Sequence, residues 1–67
     1  MTNSTLTFAE QSVLQVVKQE HLTSFEILKK VDNISLILSL YNILDKLRNK
    51  GLIQSYVKHN QTYHFAA

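Results

Sequence analysis

The chain has no cysteine, no proline and no tryptophan, and its single glycine is Gly51. Without cysteine it can build neither a disulfide framework nor a thiolate zinc site, which fits a reducing compartment and gives the cytoplasm as the expected location. Without proline no helix is interrupted from within, and one glycine is too few for a phosphate-cradling loop. No apolar run approaches the roughly 18 residues that a membrane span requires. The first five residues, Met1-Thr-Asn-Ser-Thr5, are polar and uncharged, unlike a secretory signal. Charge is also scarce. Seven Lys and Arg against five Asp and Glu leave a net charge of +2, a weak footprint for a nucleic-acid-binding chain unless the cations cluster.

What remains is a small, apolar, helix-favouring chain. At 67 residues it makes one domain, and hydrophobic residues at 45% suffice for one core. A domain of this size buries only about 60% of its unfolded surface, so packing or self-association has to supply stability. A flexible arm is expected over residues 1–6 and a single domain over 7–67.

Helix starts are written clearly. Thr7-Phe-Ala-Glu10 has the form of a capping box, and the apolar residues at 9, 13, 14, 16 and 17 continue it as a helical stripe over about 8–20. Thr23-Ser-Phe-Glu26 repeats the box and opens a short helix over about 24–31, with Phe25, Ile27, Leu28 and Val31 as its apolar face and Lys29-Lys30 at its negative end. His21 and Leu22 connect the two helices, His21 serving as a helix-end cation.

Asp32-Asn33 breaks the second helix, and Ser35 is the expected N-cap of a third over about 35–50. Its inner face carries positions 37, 40, 44 and 47, widened by Leu36 and Ile43. Its outer face carries Leu38, Ser39, Asn42, Asp45, Lys46 and Asn49, with Tyr41 at the edge. Gly51 closes it by taking the left-handed conformation. Beyond it Ile53, Tyr56, Val57, Tyr63 and Phe65 favour strands, giving a hairpin over about 52–66. A turn centred on Asn60-Gln61 would set Tyr56 opposite Phe65 and Lys58 opposite Tyr63.

Three helices followed by one hairpin is an α+β order, that of a winged helix-turn-helix. Three runs carry a family resemblance on top of it: Leu14-Gln-Val-Val17, Leu22-Thr-Ser-Phe-Glu-Ile-Leu-Lys-Lys-Val31, and Ser39-Leu-Tyr-Asn-Ile-Leu44 with Leu47 and Gly51-Leu-Ile53. Together they resemble the N-terminal DNA-binding domain of PadR-type transcriptional regulators across roughly residues 13–65. The third-helix run also resembles Fur-type and MarR-type winged helices. Ser24 and Asn42 depart from the glycine and proline usual in the PadR pattern, and the link between helices two and three is shorter.

The resemblance implies a regulator whose third helix enters the major groove of double-stranded DNA. Ser39, Tyr41 and Asn42 would then face the DNA, Asn42 able to pair with adenine and the Ser39 and Tyr41 hydroxyls with phosphate, while Lys46 and Lys50 would sit on the phosphates and Lys58 or His59 at the wing tip would reach the neighbouring backbone or minor groove. Each has a plainer reading as well: Tyr41 as a half-buried core aromatic, and Lys46, Arg48 and Lys50 as a solvated helix end. The run Leu36-Ile-Leu38 tells against DNA, because three consecutive aliphatics cannot all face inward on a helix. Leu38 therefore marks an alternative, a protein-binding surface for a partner. Phe8, Val13 and Val17 give the first helix more apolar width than one core face needs, and suggest a homodimer interface. No cofactor, metal or catalysis is expected. His59 and His64, placed side by side on the outer face of the hairpin, lack a carboxylate or thiol to complete a metal site, and no serine sits in a nucleophile motif.

Overall fold

The structure, a computed structural model, describes residues 6–67. Both capping boxes form. Thr7 accepts from the Glu10 amide at 3.1 Å while the Glu10 carboxylate accepts from the Thr7 amide at 2.9 Å, opening α1 (Phe8–Gln19). Thr23 and Glu26 repeat the exchange at the start of α2 (Ser24–Lys30). Each box satisfies two orphan donors and is worth about 1 kcal/mol.

The third helix, α3 (Ile37–Asn49), begins later than the sequence suggests. Its N-cap is Leu36, which makes no side-chain cap, and Ser35 stays outside. Leu36 consequently stands off the helical stripe and is exposed rather than part of the inner face. The other end is closed as expected. Gly51, at φ 76°, lets its amide bond Arg48 O at 3.0 Å and the Leu52 amide bond Leu47 O at 3.0 Å, the paired bonds of a Schellman motif.

A three-stranded antiparallel sheet completes the fold. The connection between α1 and α2 forms a short strand, β1 (Leu22–Thr23), which pairs with β3 (Gln61–Ala66). The hairpin partner β2 (Ile53–Lys58) lies on the other side of β3. Two residues are too few to show a strand's alternation, so Leu22 read as a linker. The hairpin register is also corrected. Tyr56 opposes Tyr63, Gln54 opposes Phe65 and Lys58 opposes Gln61, which places the turn at His59-Asn60. Both turn residues have positive φ, 53° and 64°. Asn and His tolerate that conformation, whereas a turn one residue later would impose it on Gln61. The slip moves pairing by two positions, so the aromatic face is kept and only its partners change.

The core gathers Val13, Leu14 and Val17 of α1, Leu22 of β1, Ile27 of α2, Val31, Ile34, Leu40, Leu44 and Leu47 of α3, and Ile53 of β2. Val13 and Val17 are 0% and 1% exposed. They fill this core and are not an interface; only Phe8 of the three proposed dimer residues reaches solvent. The arm expected over residues 1–6 lies, apart from Leu6, outside the described residues. Among those described, no helix is long and apolar enough to cross a membrane.

Candidate nucleic-acid interface

Leu40, Leu44 and Leu47 turn one side of α3 into the core, and helical geometry sends Ser39, Asn42, Lys46 and Asn49 outward. All of these are exposed, as is Leu38. Tyr41 is 43% exposed, at the edge of the face rather than in the core. The amino end of α3 differs from those of α1 and α2. It has no side-chain cap and no acidic residue in its first turn, whereas the other two each carry a Glu there. The positive end of the helix dipole is left bare beside Ser39.

The cations divide into two sets. Lys46 and Lys58 are exposed and form no ion pair with a described residue. Lys50 reaches back across the fold to the buried Glu10 carboxylate at 3.7 Å, joining the end of α3 to the cap of α1. Arg48 is paired with Asp45 on its own helix and donates to Ser55 Oγ at 3.2 Å. Lys58 and His59 stand at the end of the wing, both exposed. The interface residues therefore come together as one outer face of α3 plus the wing tip, with Lys50 committed to the fold.

Between these two parts lies a cleft of about 620 Å³, walled by Phe25 and Tyr41 on one side and by Asn60 and Thr62 on the other. Phe25, read from sequence as core, is 63% exposed on this wall. Arg48 and His64 line the same cleft. His64 is not the solvated wing residue that the sequence suggested. It is 4% exposed because its face of the hairpin, the one opposite the aromatic face, is the face that packs toward the core, and the true register sets it opposite Ser55.

His64 Nδ1 lies 2.7 Å from Ser55 Oγ, and Nε2 lies 3.0 Å from Ser24 Oγ. Arg48 has only donors, so Ser55 Oγ accepts from it and keeps its own proton to give; we assign the neutral tautomer in which the Ser55 hydroxyl donates to Nδ1 and the Nε2 proton goes to Ser24. Burial holds the His64 pKa below its usual 6.5, and the nearby Arg48 charge lowers it further. A motif search could not have found this chain of contacts, because it depends on a register and on a strand too short to read.

The other side of the sheet carries rings. Tyr56 and Tyr63 stack across the hairpin with centroids 5.6 Å apart. His21 stacks on Phe65 at 4.7 Å and its Nδ1 lies 2.8 Å from the Tyr56 hydroxyl. His21 is thus a sheet-face residue and not a helix-end cation, since α1 stops at Gln19 and the chain is already extended at Glu20. Among the described residues no three His, Cys, Asp or Glu side chains converge as a metal site would require.

Three helices, a short strand within the helix-turn-helix and a closing hairpin define a winged helix-turn-helix domain. No protein-family model matches the chain, and no curated protein matches it in sequence. Among solved structures, a ferric uptake regulator from Francisella tularensis with iron is similar, with a TM-score of 0.69 and 19% identity over 98% of this chain. That alignment covers 55% of the regulator, so the present chain spans about half its length. The likeness establishes the fold. The neighbour is a Fur-type winged helix, one of the types the third-helix run resembles.

Proposed function

We propose that this domain binds double-stranded DNA, with α3 in the major groove and the wing on the adjacent backbone, and serves as a transcriptional regulator. The observation that carries the reading is the bare amino end of α3. A helix start with unsatisfied amides, no acid and no side-chain cap favours an anion, and here it opens onto an exposed polar face. Ser39, Asn42 and the edge of Tyr41 supply hydroxyl and amide groups for base edges and phosphates. The unpaired Lys46 and Lys58 supply phosphate contacts at the two ends. The solved regulator of similar fold supports the same class, and the resemblance of residues 22–31 to PadR-type second helices keeps that kinship within the reading. No reaction is assigned to the chain: Ser24 and Ser55 flank His64, but no carboxylate orients the imidazole as a nucleophile's base would need.

Fluorescence anisotropy of a labelled random duplex at two salt concentrations tests this. A single small module should bind in the range of about 10⁻⁴–10⁻⁶ M, weakening steeply with salt. Lys46→Ala should lower the salt slope by about 1. No salt-dependent binding at about 100 μM protein in low salt would end the DNA reading.

One specific observation favours a second reading. Leu36 and Leu38, 67% and 72% exposed, stand at the start of α3, and Phe25, 63% exposed, lines the cleft with Tyr41; exposed apolar side chains of this size suit a protein partner. In a DNA regulator that pairs two half-sites, the partner would be a second copy. Phe8, 75% exposed, is what remains of the expected helix-one interface. Sedimentation across protein concentration separates a homodimer from a monomer.

A further inference from the structure

We infer that His64 is a positioning residue of the nucleic-acid interface: by bridging Ser24 of α2 to Ser55 of β2 it sets the angle at which the wing stands away from α3. The inference rests on the DNA-binding reading above and adds to it the part of the fold that aims the wing.

The wing loses its support one residue pair beyond the core. Ile53, at the base of β2, is buried in the core, and Ala66 opposite it packs against that core. The next inward-facing pair is Ser55 with His64. Beyond it the core-facing side of the hairpin loses its cover: Val57 is 71% exposed and residues 58–62 are all exposed, while on the other face Tyr56 still bonds His21 and Tyr63 still pairs with Thr23 of β1. Ser55–His64, with His64 buried and Ser55 half-buried, is therefore the outermost covered pair on the core face, the fulcrum on which the free half of the hairpin turns. From His64 to the turn is four residues, or about 13 Å of strand, so a tilt of ten degrees at the fulcrum carries the tip about 2 Å. The width of the cleft between wing and α3 is set there.

Three elements meet at this point. Ser24 comes from α2, Ser55 from β2, and Arg48 joins from α3 through Ser55. Of the charged and titratable groups facing the imidazole, α3 contributes Arg48, with Asp45 paired behind it, and Tyr41 across the cleft. β1, β2 and the start of α2 contribute only neutral groups there: Leu22, Ser55, Ser24. Asn60, Gln61 and Thr62 line the cleft from the turn side. Pleating puts His21, Tyr56, Tyr63 and Lys58 on the opposite face of the sheet.

Protonating His64 would make both of its nitrogens donors. Ser55 Oγ would then have to accept from Arg48 and from the imidazolium together, two cations on one half-buried hydroxyl. A second cation beside the Arg48 guanidinium repels it across that hydroxyl, which the neutral imidazole does not, so acid should loosen the wing and weaken DNA binding. Positive charge gained anywhere on the interface surface predicts the reverse, since it adds to the attraction for phosphate.

The experiment measures duplex affinity by anisotropy at pH 7.5 and 5.5, at constant ionic strength, for the wild type, His64→Phe and Ser24→Ala. It is paired with an NMR pH titration of the free chain that follows the wing amides and the three imidazoles. Wild-type affinity should fall as the pH is lowered. Ser24→Ala should cost about fivefold at pH 7.5, the worth of one hydrogen bond. His64→Phe should be weaker at pH 7.5 and should lose the acid-induced fall. In the free chain the amides of residues 57–62 should shift in step with the His64 ring.

Wild-type affinity that rises in acid, or wing amides that follow His59 or His21 instead of His64, would overturn the inference. So would unchanged binding in a folded Ser24→Ala variant. If the duplex is not bound at all, the DNA reading fails by itself, and the NMR titration still decides whether His64 holds the wing.

Discussion

Glu10 and His64 are the two polar or charged residues buried in the described fold, and each is held in a different way. Glu10 keeps its carboxylate among donors, the Thr7 amide and the Lys50 ammonium. Lys50→Ala should cost about 1 kcal/mol, since the cap survives while the buried carboxylate loses its cation, and the loss is tempered by the lysine's own exposure. Chemical denaturation would measure it, and the salt slope of DNA binding should not change. His64 titrates in the opposite sense to a stabilising surface histidine. The unfolded chain takes up its proton near pH 6.5, before the folded chain does, so folding stability is full above that pH and declines as the pH falls toward and through the lowered folded-state pKa. Denaturant midpoints at pH 7.5 and 5.5 should show the decline, and His64→Phe should flatten it. The turn offers a gain. His59→Asn puts the residue best suited to positive φ at the first turn position and should raise stability by about 0.5 kcal/mol, visible as a few degrees in Tm.

Among the elements, those written in side-chain chemistry were legible in sequence. Thr7 to Glu10 and Thr23 to Glu26 announce two helix starts, and Gly51 announces a helix end, because each motif is local and each residue type has one main use there. The spacing of Leu40, Leu44 and Leu47 likewise fixes the inner face of α3, and with it the outward direction of Ser39, Asn42 and Lys46. What was not legible depends on distant pairing. β1 exists only because β3 passes beside it. The pairing of His64 with Ser55 follows from a turn at His59-Asn60 that Asn60-Gln61 could mimic in sequence, and its burial from which face of the hairpin meets the core. Val13 and Val17 read as surplus on a helix drawn alone, and become core once α3 and the sheet occupy both of their sides. Ser35 was a sound cap by residue type and lost that place because the helix begins two residues beyond it, which leaves the exposed Leu36 at the cap position.

At the scale of the whole molecule the question is which partner the α3 end meets. A bare helix start, Lys46 and Lys58 argue for nucleic acid; Phe25, Leu36 and Leu38 argue for protein. Leu38→Asp separates them. It should abolish an association made through the apolar surface, and it should leave salt-dependent affinity for a random duplex within about threefold, because one added charge offsets one phosphate contact at most. Sedimentation and anisotropy on the same variant give both readouts.

The central position of β3 has a consequence in time as well as in space. It is the strand on which both other strands depend, and it follows both in the chain. The contact from Ser24 to His64 spans 40 positions, so it closes a long loop and carries a larger entropic cost than the local contacts of the helices. The helical core should therefore assemble first and the sheet seam last. Ser24→Ala, which removes that one bridge, should speed unfolding in stopped-flow experiments and leave the refolding rate almost untouched. The wing would then be the last part of the domain to arrive and the first to leave.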